Sequence, residues 1–536
     1  MPKQTTVKNR RERRALAAKT GQVSSNARAA PVAAGGRQIT EVILAARERL
    51  KIADSARRAG NLDRAQSICE KLIDDFPDYV GALHTLGIIQ MAKDSYWQAL
   101  SCFVRAAMLS PLDWTILASL GQVYIGLDAI EQAARTLNQA LAIKEDEAEI
   151  HFSLGQVYSD QREYELAAQT LRRAGSLDPS HDKVFLLLGM VLSHLGDMEG
   201  AAEALVTAHR NDPARAGPLA GLAQLPAQFV KFDVQATLDK VSATWTGENR
   251  GEEERAAFAR ANLLDQAGQY DAAWNWLEKA NKPIAERYKD QLREYVEKRS
   301  YKLASATSYS YKPNRLGKDH DVPVSLFFLG VSRSGKTTLE RLVSALPSVK
   351  RGYENMIVEN SVLRASQITG MLGLRNLRVF PPELDRQFTD FYFEELQQRA
   401  QGAAVFTNTH PGRISDLGRL ANCIHNVRFV FVKRDRNDTA LRILMKQYRE
   451  NSNIYAYDIQ SAFDEIDFYH KLMTDWQSCL PGNFLAVDYE DMVDDPAGHV
   501  AQIAALCGIA ADVSELPPIG DDRGCAEPYA QYFGLK

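Results

Sequence analysis

Small residues recur at a fixed spacing through the first half of the chain. Gly87, Gly121, Gly155 and Gly189 each follow a leucine, and successive glycines lie 34 residues apart. An alanine follows each glycine after 12 residues and another after 19, and in three of the four repeats a proline comes five residues later. Small residues let paired helices approach closely, and proline ends the second helix of a pair. The pattern predicts a stack of helical hairpins.

These positions are those of the tetratricopeptide repeat, which the region resembles. An earlier stretch fits the same frame less fully, through Ala53, Ala65 and Pro77. We therefore expect four or five hairpins over residues 45–215 that stack into a solenoid with a concave face. Such arrays bind peptides or partner proteins, so we expect a protein or peptide partner here. The repeat region contains no evident catalytic cluster.

The pattern changes to short apolar runs from about residue 320. These runs are rich in Val and Phe, alternate with helical stretches and predict a parallel sheet covered on both faces. We predict a multidomain chain, an all-α solenoid followed by an α/β P-loop-like domain over 320–536. Residues 216–315 are predicted to form a helical bridge with one further repeat-like hairpin around Gly268. The predicted strands are 323–329, 403–408, 427–433 and 483–488.

The composition adds few constraints. The 536 residues carry a net charge of −4, which gives no reason to expect nucleic acid as a partner. No apolar run approaches the ~20 residues of a membrane span, and the start of the chain lacks the apolar core of a secretory signal. We therefore expect a cytoplasmic protein. Residues 1–38 are basic and predict a disordered arm, and the six scattered cysteines are expected to be free thiols.

One loop carries the clearest chemistry. Gly330 to Thr337 reads G-V-S-R-S-G-K-T, which fits the G-x-x-x-x-G-K-[ST] loop of nucleoside triphosphatases. The same residues also read S-R-S-G-x-T, as in sulfate-donor loops. In either case the free N–H groups at a helix start donate hydrogen bonds to a phosphate or sulfate. A triphosphatase also needs an acidic residue for Mg²⁺, and Asp488 is the best candidate.

Several motifs in order resemble the sulfotransferase domain of bacterial tetratricopeptide-repeat sulfotransferases, a group similar to tyrosylprotein sulfotransferases. They are "GVSRSGKTTLERLVSALPSV" followed by "GYEN", then "RFVFVKRDRNDTALRI", then "FLAVDYEDMVDDPAGHVAQIAALCGI". With the repeats, the resemblance covers roughly 45–510. It implies 3′-phosphoadenosine-5′-phosphosulfate as cofactor and transfer of its sulfuryl group to a hydroxyl-bearing acceptor, with a protein tyrosine, a saccharide and a small alcohol all open.

The resemblance also implies residue roles. Glu354 matches the general base, and Lys336 with Arg333 would stabilise the departing phosphate. Arg434 would meet the 3′-phosphate, and Arg442 can donate to the same group. Tyr489 and Glu490 are expected to be structural. The loop residues implied to bind the 5′-phosphosulfate are Arg333, Ser334, Gly335, Lys336, Thr337 and Thr338.

The chain departs from the family pattern at several positions. Lys336 replaces a threonine, Thr409 stands where a lysine is usual, and Arg442 replaces a serine. The C-terminal tail also lacks the usual polar and basic segment that closes over the nucleotide. Either positive charge is relocated within an active site, or the domain binds nucleotide without transfer. A Mg²⁺-dependent P-loop kinase or triphosphatase is the rival enzyme class, and a non-catalytic scaffold is the third alternative.

Overall fold

The computed structural model describes residues 34–245, 249–307, 322–368, 377, 380–410, 414–449, 451–480 and 482–534. The chain divides into two compact units between Glu145 and Asp146, and each is described by itself. Most of the predicted basic arm, residues 1–33, lies outside the described part. Residues 34–38 begin the first helix, whose apolar residues from Ile39 onward recur at helical spacing. The six cysteines are free thiols, three of them buried.

The first unit consists of helical hairpins. In the second and third of its three described hairpins, a large side chain of the second helix packs against a glycine of the first: a Cβ added to Gly87 would lie 2.7 Å from the Phe103 ring, and one added to Gly121 would lie 2.5 Å from Leu137. These contacts explain the repeated glycine. The helices are α1 (Ala34–Arg58), α2 (Leu62–Asp75), α3 (Val80–Ala92), α4 (Tyr96–Leu109), α5 (Trp114–Gly126) and α6 (Ile130–Ile143).

The second unit starts with two more hairpins of the same kind. Gly155 meets Leu171, and Gly189 meets Leu205, each at 2.6 Å from an added Cβ. Two short helices then lead to one further hairpin and a final long helix. These helices are α7 (Ala148–Asp160), α8 (Tyr164–Leu177), α9 (Asp182–Leu195), α10 (Met198–Asn211), α11 (Gly217–Ala223), α12 (Val234–Ser242), α13 (Arg250–Gln266), α14 (Tyr270–Arg287) and α15 (Lys289–Thr307).

A five-stranded parallel sheet follows in the second unit, in the order β2-β3-β1-β4-β5. The strands are β1 (Val324–Leu329), β2 (Val349–Lys350), β3 (Val405–Asn408), β4 (Val427–Lys433) and β5 (Phe484–Asp488). The helices around it are α16 (Lys336–Val343), α17 (Ile357–Ile368), α18 (Asp385–Ala400), α19 (Leu417–Cys423), α20 (Arg436–Leu444), α21 (Ile459–Cys479), α22 (Tyr489–Asp494) and α23 (Pro496–Cys507).

Helices cover both faces of this sheet. Phe327 and Leu329 of β1 pack into one core with α17, α18 and α21, whereas Leu326 and Phe328 pack into another with α16 and α23. Because successive strand residues point to opposite faces, this explains the unbroken apolar run of β1. The predicted fold class, a helical-repeat solenoid followed by an α/β domain with a parallel sheet, is confirmed. Within the described residues no helix is long and apolar enough to cross a bilayer.

Candidate functional site

The candidate site lies at the carboxyl edge of the sheet. β1 is the central strand, between β3 and β4. The glycine-containing loop 330–335 follows β1, Thr409 follows β3, and Arg434 follows β4. Open parallel sheets bind ligands at this edge, beside the central strand where connections diverge. The fold therefore brings the predicted loop and the predicted Arg434 to the same end of the sheet.

Two glycines shape the loop. Gly330 has φ +137°, and a Cβ there would lie 2.6 Å from the carbonyl oxygen of Val432. Gly335 has φ +96°, and a Cβ there would lie 2.3 Å from the Tyr489 ring. Both positions combine positive φ with a close approach, which only glycine tolerates. The backbone then enters α16 at Lys336, leaving the first N–H groups of that helix free of helical partners.

Lys336 and Ser334 are buried inside the loop. The Lys336 Nζ donates to the carbonyl oxygens of Gly330 at 2.7 Å and Val331 at 2.8 Å. Burial lowers the pKa of Lys336 to about 8, against the opposing charge of Glu354. The Ser334 hydroxyl, although buried, has no hydrogen-bond partner among the described residues. Because an unpaired buried hydroxyl is unfavourable, the loop provides an unmet polar group beside a buried cation.

Arg333, within the loop, and Lys446, close to it, add positive charge to the site. Arg333 has φ +68° and an exposed side chain that pairs with no described residue. Burial and, to a smaller extent, the nearby charge of Arg333 lower the pKa of Lys446 to about 8, while Glu354 opposes the shift. The Lys446 Nζ lies 5.3 Å from the ring centre of Tyr448, whose hydroxyl shares a 3.0 Å hydrogen bond with Ser332. These cations can attract an anionic ligand.

Glu354 lies close enough to these cations to affect the pKa of both Lys336 and Lys446. Its Oε2 accepts a hydrogen bond from the Arg162 Nη2 at 3.3 Å. Arg162 belongs to the turn between α7 and α8, so a repeat hairpin contributes a charge to this site. The Glu354 side chain remains 44% exposed, which leaves it accessible to an acceptor.

A buried carboxylate fixes the backbone beside Glu354. Glu340 is fully buried, and its oxygens accept from the Tyr353 N–H at 3.0 Å, Arg351 Nε at 3.0 Å and Thr407 Oγ1 at 2.5 Å. Burial raises the pKa of Glu340. On the other side, Asn355 donates to the Thr407 carbonyl oxygen at 2.9 Å. Both neighbours of Glu354 are therefore anchored to β3 and α16.

Arg434 and Arg442 converge on one acidic residue, Asp522. The Asp522 Oδ2 lies 3.1 Å from Arg434 Nη2 and 3.4 Å from Arg442 Nε. Tyr489 donates from its hydroxyl to Asp522 Oδ1 at 2.8 Å, and its ring lies 4.6 Å from the Arg434 guanidinium carbon. Burial alone would raise the pKa of Asp522, but Arg434, Tyr489 and Arg442 together bring it below the usual value. The two arginines predicted to bind a phosphate thus both pair with a carboxylate of the same chain, that of Asp522.

The remaining predicted residues occupy defined places. Thr409 is buried, and its N–H donates to the Tyr353 carbonyl oxygen at 2.9 Å. Glu490 accepts from the Asp435 N–H at 2.9 Å, which fixes the turn after β4. Asp488 lies at the end of β5, one strand removed from β1 across β4, and its Oδ1 is 3.8 Å from the Lys433 Nζ. Thr337 is exposed in the first turn of α16, where Thr338 is half-buried.

Sequence reasoning did not find Arg162, Lys446 or Asp522. Arg162 lies in a turn between repeat helices, where a charged residue does not by itself indicate a functional site. Lys446 follows the end of α20 with no motif around it. Asp522 belongs to the acidic stretch "GDDRG" of the tail, whose charge is a signal of a contact with a basic group but does not indicate which one.

Comparison with known proteins identifies the two kinds of domain. Residues 323–513 match a family model described as "Sulfotransferase family". Residues 49–79, 121–162 and 152–216 match tetratricopeptide-repeat models. The chain therefore contains tetratricopeptide repeats and a sulfotransferase-family domain, and the combination predicted from the sequence is confirmed.

Similar proteins include two named enzymes. Protein-tyrosine sulfotransferase 1 of Danio rerio is 24% identical over 184 residues, which are 33% of this chain and 50% of that protein. The protein of the same name from Rattus norvegicus is 22% identical over 184 residues, 33% of this chain and 46% of that protein. An uncharacterized protein of Aquifex aeolicus (strain VF5) is 20% identical over 264 residues, which are 47% of this chain and 34% of that protein. The chain spans half or less of the length of these relatives.

Solved structures similar to part of the chain include helical-repeat proteins. The solved part of MamA from Desulfovibrio magneticus RS-1, which runs from its residue 41 to the end, is 20% identical with a TM-score of 0.28. The match covers 32% of this chain and 96% of that one. A thermophilic tetratricopeptide-repeat protein of Thermus thermophilus is 20% identical with a TM-score of 0.29, and the match covers 31% of this chain and 92% of that protein.

Proposed function

We propose that the protein transfers a sulfuryl group from 3′-phosphoadenosine-5′-phosphosulfate to a hydroxyl acceptor, and that its repeats recruit a protein substrate or partner. The observation that carries the proposal is the loop 330–335 with the start of α16. It holds the buried, unpaired hydroxyl of Ser334 and the cations Arg333 and Lys336, and Glu354 lies close enough to affect the pKa of Lys336. The family match over residues 323–513 supports the same reaction class. The names of two relatives make a protein tyrosine the first acceptor to test.

The loop fits the 5′ end of this donor. When bound, the donor supplies a sulfuryl group attached to a good leaving phosphate. Ser334 can donate its unpaired hydroxyl to an anionic oxygen, and the free N–H groups at the start of α16 are further donors for an anion. Lys336 and Arg333 bring positive charge to the leaving side, where charge builds up in the transition state.

Glu354 is the proposed general base. Its carboxylate is accessible, lies among the loop cations and is held on one side by Arg162. A base of this kind accepts the proton of the acceptor hydroxyl as that oxygen attacks. Anchored neighbours and the ion pair with Arg162 restrict where the carboxylate can go, which lowers the entropic cost of reaching the reactive geometry. Lys446, whose charge interacts with that of Glu354, can supply the cation that is missing at Thr409.

The region around Arg434 and Arg442 fits the 3′-phosphate only if Asp522 gives up its contacts, since both arginines already bind that carboxylate. The rival Mg²⁺-dependent kinase or triphosphatase gains no support from the sheet order. The strands flanking β1 end in Asn408 and Lys433, and the acidic Asp488 lies on β5 beside Lys433.

The test is acceptor-stimulated release of adenosine 3′,5′-bisphosphate from the donor by the full-length protein. Tyrosine-containing peptides, saccharides and small alcohols serve as separate acceptors. Glu354→Gln should leave donor binding within about threefold and cut release by about 10² or more. Glu394→Gln, a carboxylate paired with Arg364 elsewhere, is the matched control and should keep full activity. Equal rates for wild type and Glu354→Gln would remove Glu354 from the reaction.

A further inference from the structure

The C-terminal segment places a carboxylate between two arginines of the sulfotransferase domain. Asp522 is 88 residues from Arg434 in the chain, and the backbone carbonyl oxygen of Asp522 also accepts from Arg434 Nη2 at 2.9 Å. With the two ion pairs and the Tyr489 hydroxyl, this one residue makes four contacts in the cluster. Asp522 is therefore held between the two arginines by several independent contacts.

The two arginines are already neutralised in this arrangement. Arg434 also lies 3.9 Å from Asp438, and Arg442 lies 3.4 Å from Asp265 of α13. Two guanidinium groups thus face three carboxylates. A phosphate that enters without any rearrangement would add negative charge to a cluster that is already net negative, which is unfavourable in a partly buried place.

One hydrogen-bond donor of the cluster is nevertheless left unsatisfied. The Arg434 side chain is only 4% exposed, yet its Nε has no hydrogen-bond partner among the described residues. The carboxylate of Asp522 therefore does not satisfy all the donors around it. A phosphate has three acceptor oxygens, and a carboxylate has two, so a phosphate could satisfy this extra donor.

Rotation of the Asp522 side chain alone would release its two ion pairs with Arg434 and Arg442. The following residues are anchored separately, because the N–H groups of Gly524 and Ala526 donate to Asp438 at 2.7 and 2.8 Å. Arg523 is held by Asp494 at 2.7 Å. The Asp522 side chain is 38% exposed, so it can rotate toward water while the segment stays in place.

We propose that Asp522 determines donor specificity by competing with the 3′-phosphate of the donor for Arg434 and Arg442. The inference rests on the proposed nucleotide site. In the wild type the 3′-phosphate gains contacts with the arginines only at the cost of those that Asp522 loses. Its contribution to affinity is therefore small, and removing the charge of Asp522 should increase it.

The experiment is calorimetric titration of the full-length protein with adenosine 5′-monophosphate and with adenosine 3′,5′-bisphosphate. Asp522→Asn keeps the shape of the side chain and removes its charge. It should raise affinity for the bisphosphate by about 10- to 100-fold, the scale of a charged hydrogen bond, and change affinity for the monophosphate by less than about threefold. Asp522→Ser serves as a second variant with the same expected ratio.

Asp521→Asn is the matched control. Asp521 belongs to the same segment but pairs with Arg523, so its loss should change neither affinity by more than about threefold. A bisphosphate-to-monophosphate ratio that is the same in wild type and both Asp522 variants would overturn the inference while leaving the nucleotide site intact. Absence of binding for both nucleotides in all proteins would instead contradict the proposed function.

Discussion

Arg162 donates a hydrogen bond from Nη2 to Oε2 of Glu354 at 3.3 Å, across 192 residues of sequence. Arg162 lies in the turn between α7 and α8 with φ +62°. Next to this pair, the Tyr164 ring meets the Tyr353 ring edge to face at 4.9 Å between centroids. A repeat hairpin therefore takes part in holding the proposed base, besides any role in recruiting a partner.

The first prediction concerns this pair. Arg162→Ala should lower kcat for sulfuryl transfer by about tenfold, because the carboxylate loses a charged partner that restricts its position. Affinity for adenosine 3′,5′-bisphosphate should stay within about twofold, and Arg162→Lys should recover part of the loss. Steady-state kinetics and calorimetry separate the two effects.

The control for Arg162 is Arg172→Ala, which removes an arginine of the same hairpin that lies 3.7 Å from Asp197. This variant should behave as wild type. If Arg162→Ala weakens nucleotide binding as much as it lowers kcat, then Arg162 supports the fold of the loop and does not position Glu354.

The second prediction is a dependence of nucleotide binding on pH. Burial lowers the pKa of Lys336 and of Lys446 to about 8. Below pH 8 both lysines are charged in the free protein, and above it they lose their protons. A bound anion favours the charged forms, so affinity should be nearly constant from about pH 7 to 7.5 and fall above pH 8.

This dependence has a direct thermodynamic signature. Titration at pH 9 in buffers of different ionisation enthalpy should show proton uptake on binding, with almost none at pH 7. Lys336→Met should reduce the uptake, whereas Lys433→Met, which removes an exposed lysine paired with Asp488, should not. Equal uptake at pH 9 in wild type and Lys336→Met would show that Lys336 does not titrate in this range.

The third prediction concerns Gly335 and separates the effect of its positive φ from that of its close approach to Tyr489. Gly335→Ala forces a positive φ on alanine and places Cβ 2.3 Å from the Tyr489 ring. Gly402→Ala forces a similar φ, +87°, with no atom within 4 Å of the new Cβ. The Gly402 variant should therefore cost about 1–2 kcal/mol of stability, while the Gly335 variant costs more and loses nucleotide binding. Thermal unfolding and calorimetry measure both, and equal effects would exclude the contact with Tyr489 as the cause.

The sequence predicted those parts of the fold that depend on local packing rules. The glycine at 121 and its equivalents indicated hairpins because each admits one large side chain, such as Leu137, 16 residues further on. The loop was predictable because Gly330 and Gly335 mark a strand-to-helix turn. The partner of Arg434 was not predictable: Asp522 reaches it through tertiary contacts that no local pattern encodes.

The fourth prediction is that residues 45–215 fold as a separate fragment. Contacts between a glycine and a large residue recur in four of the described hairpins, and each joins the two helices of one hairpin, as expected of a repeat array. The fragment should show strong helical circular dichroism and unfold on heating. Gly121→Val should lower the unfolding midpoint, because an added Cβ alone would lie 2.5 Å from Leu137. Low helicity of the fragment would contradict this prediction.

The central claim is that the loop after β1 serves a phosphosulfate donor and not a triphosphate. Its most direct test is calorimetric comparison of adenosine 3′,5′-bisphosphate with ATP, each with Mg²⁺ and with a chelator. We predict that the bisphosphate binds more tightly than ATP, because the strands beside β1 end in Asn408 and Lys433 and offer no carboxylate to hold the Mg²⁺ of a triphosphate. We also predict that Mg²⁺ leaves the affinity for the bisphosphate unchanged and that Lys336→Met weakens it by about tenfold or more. Tight ATP binding that requires Mg²⁺ and exceeds the affinity for the bisphosphate would contradict the account.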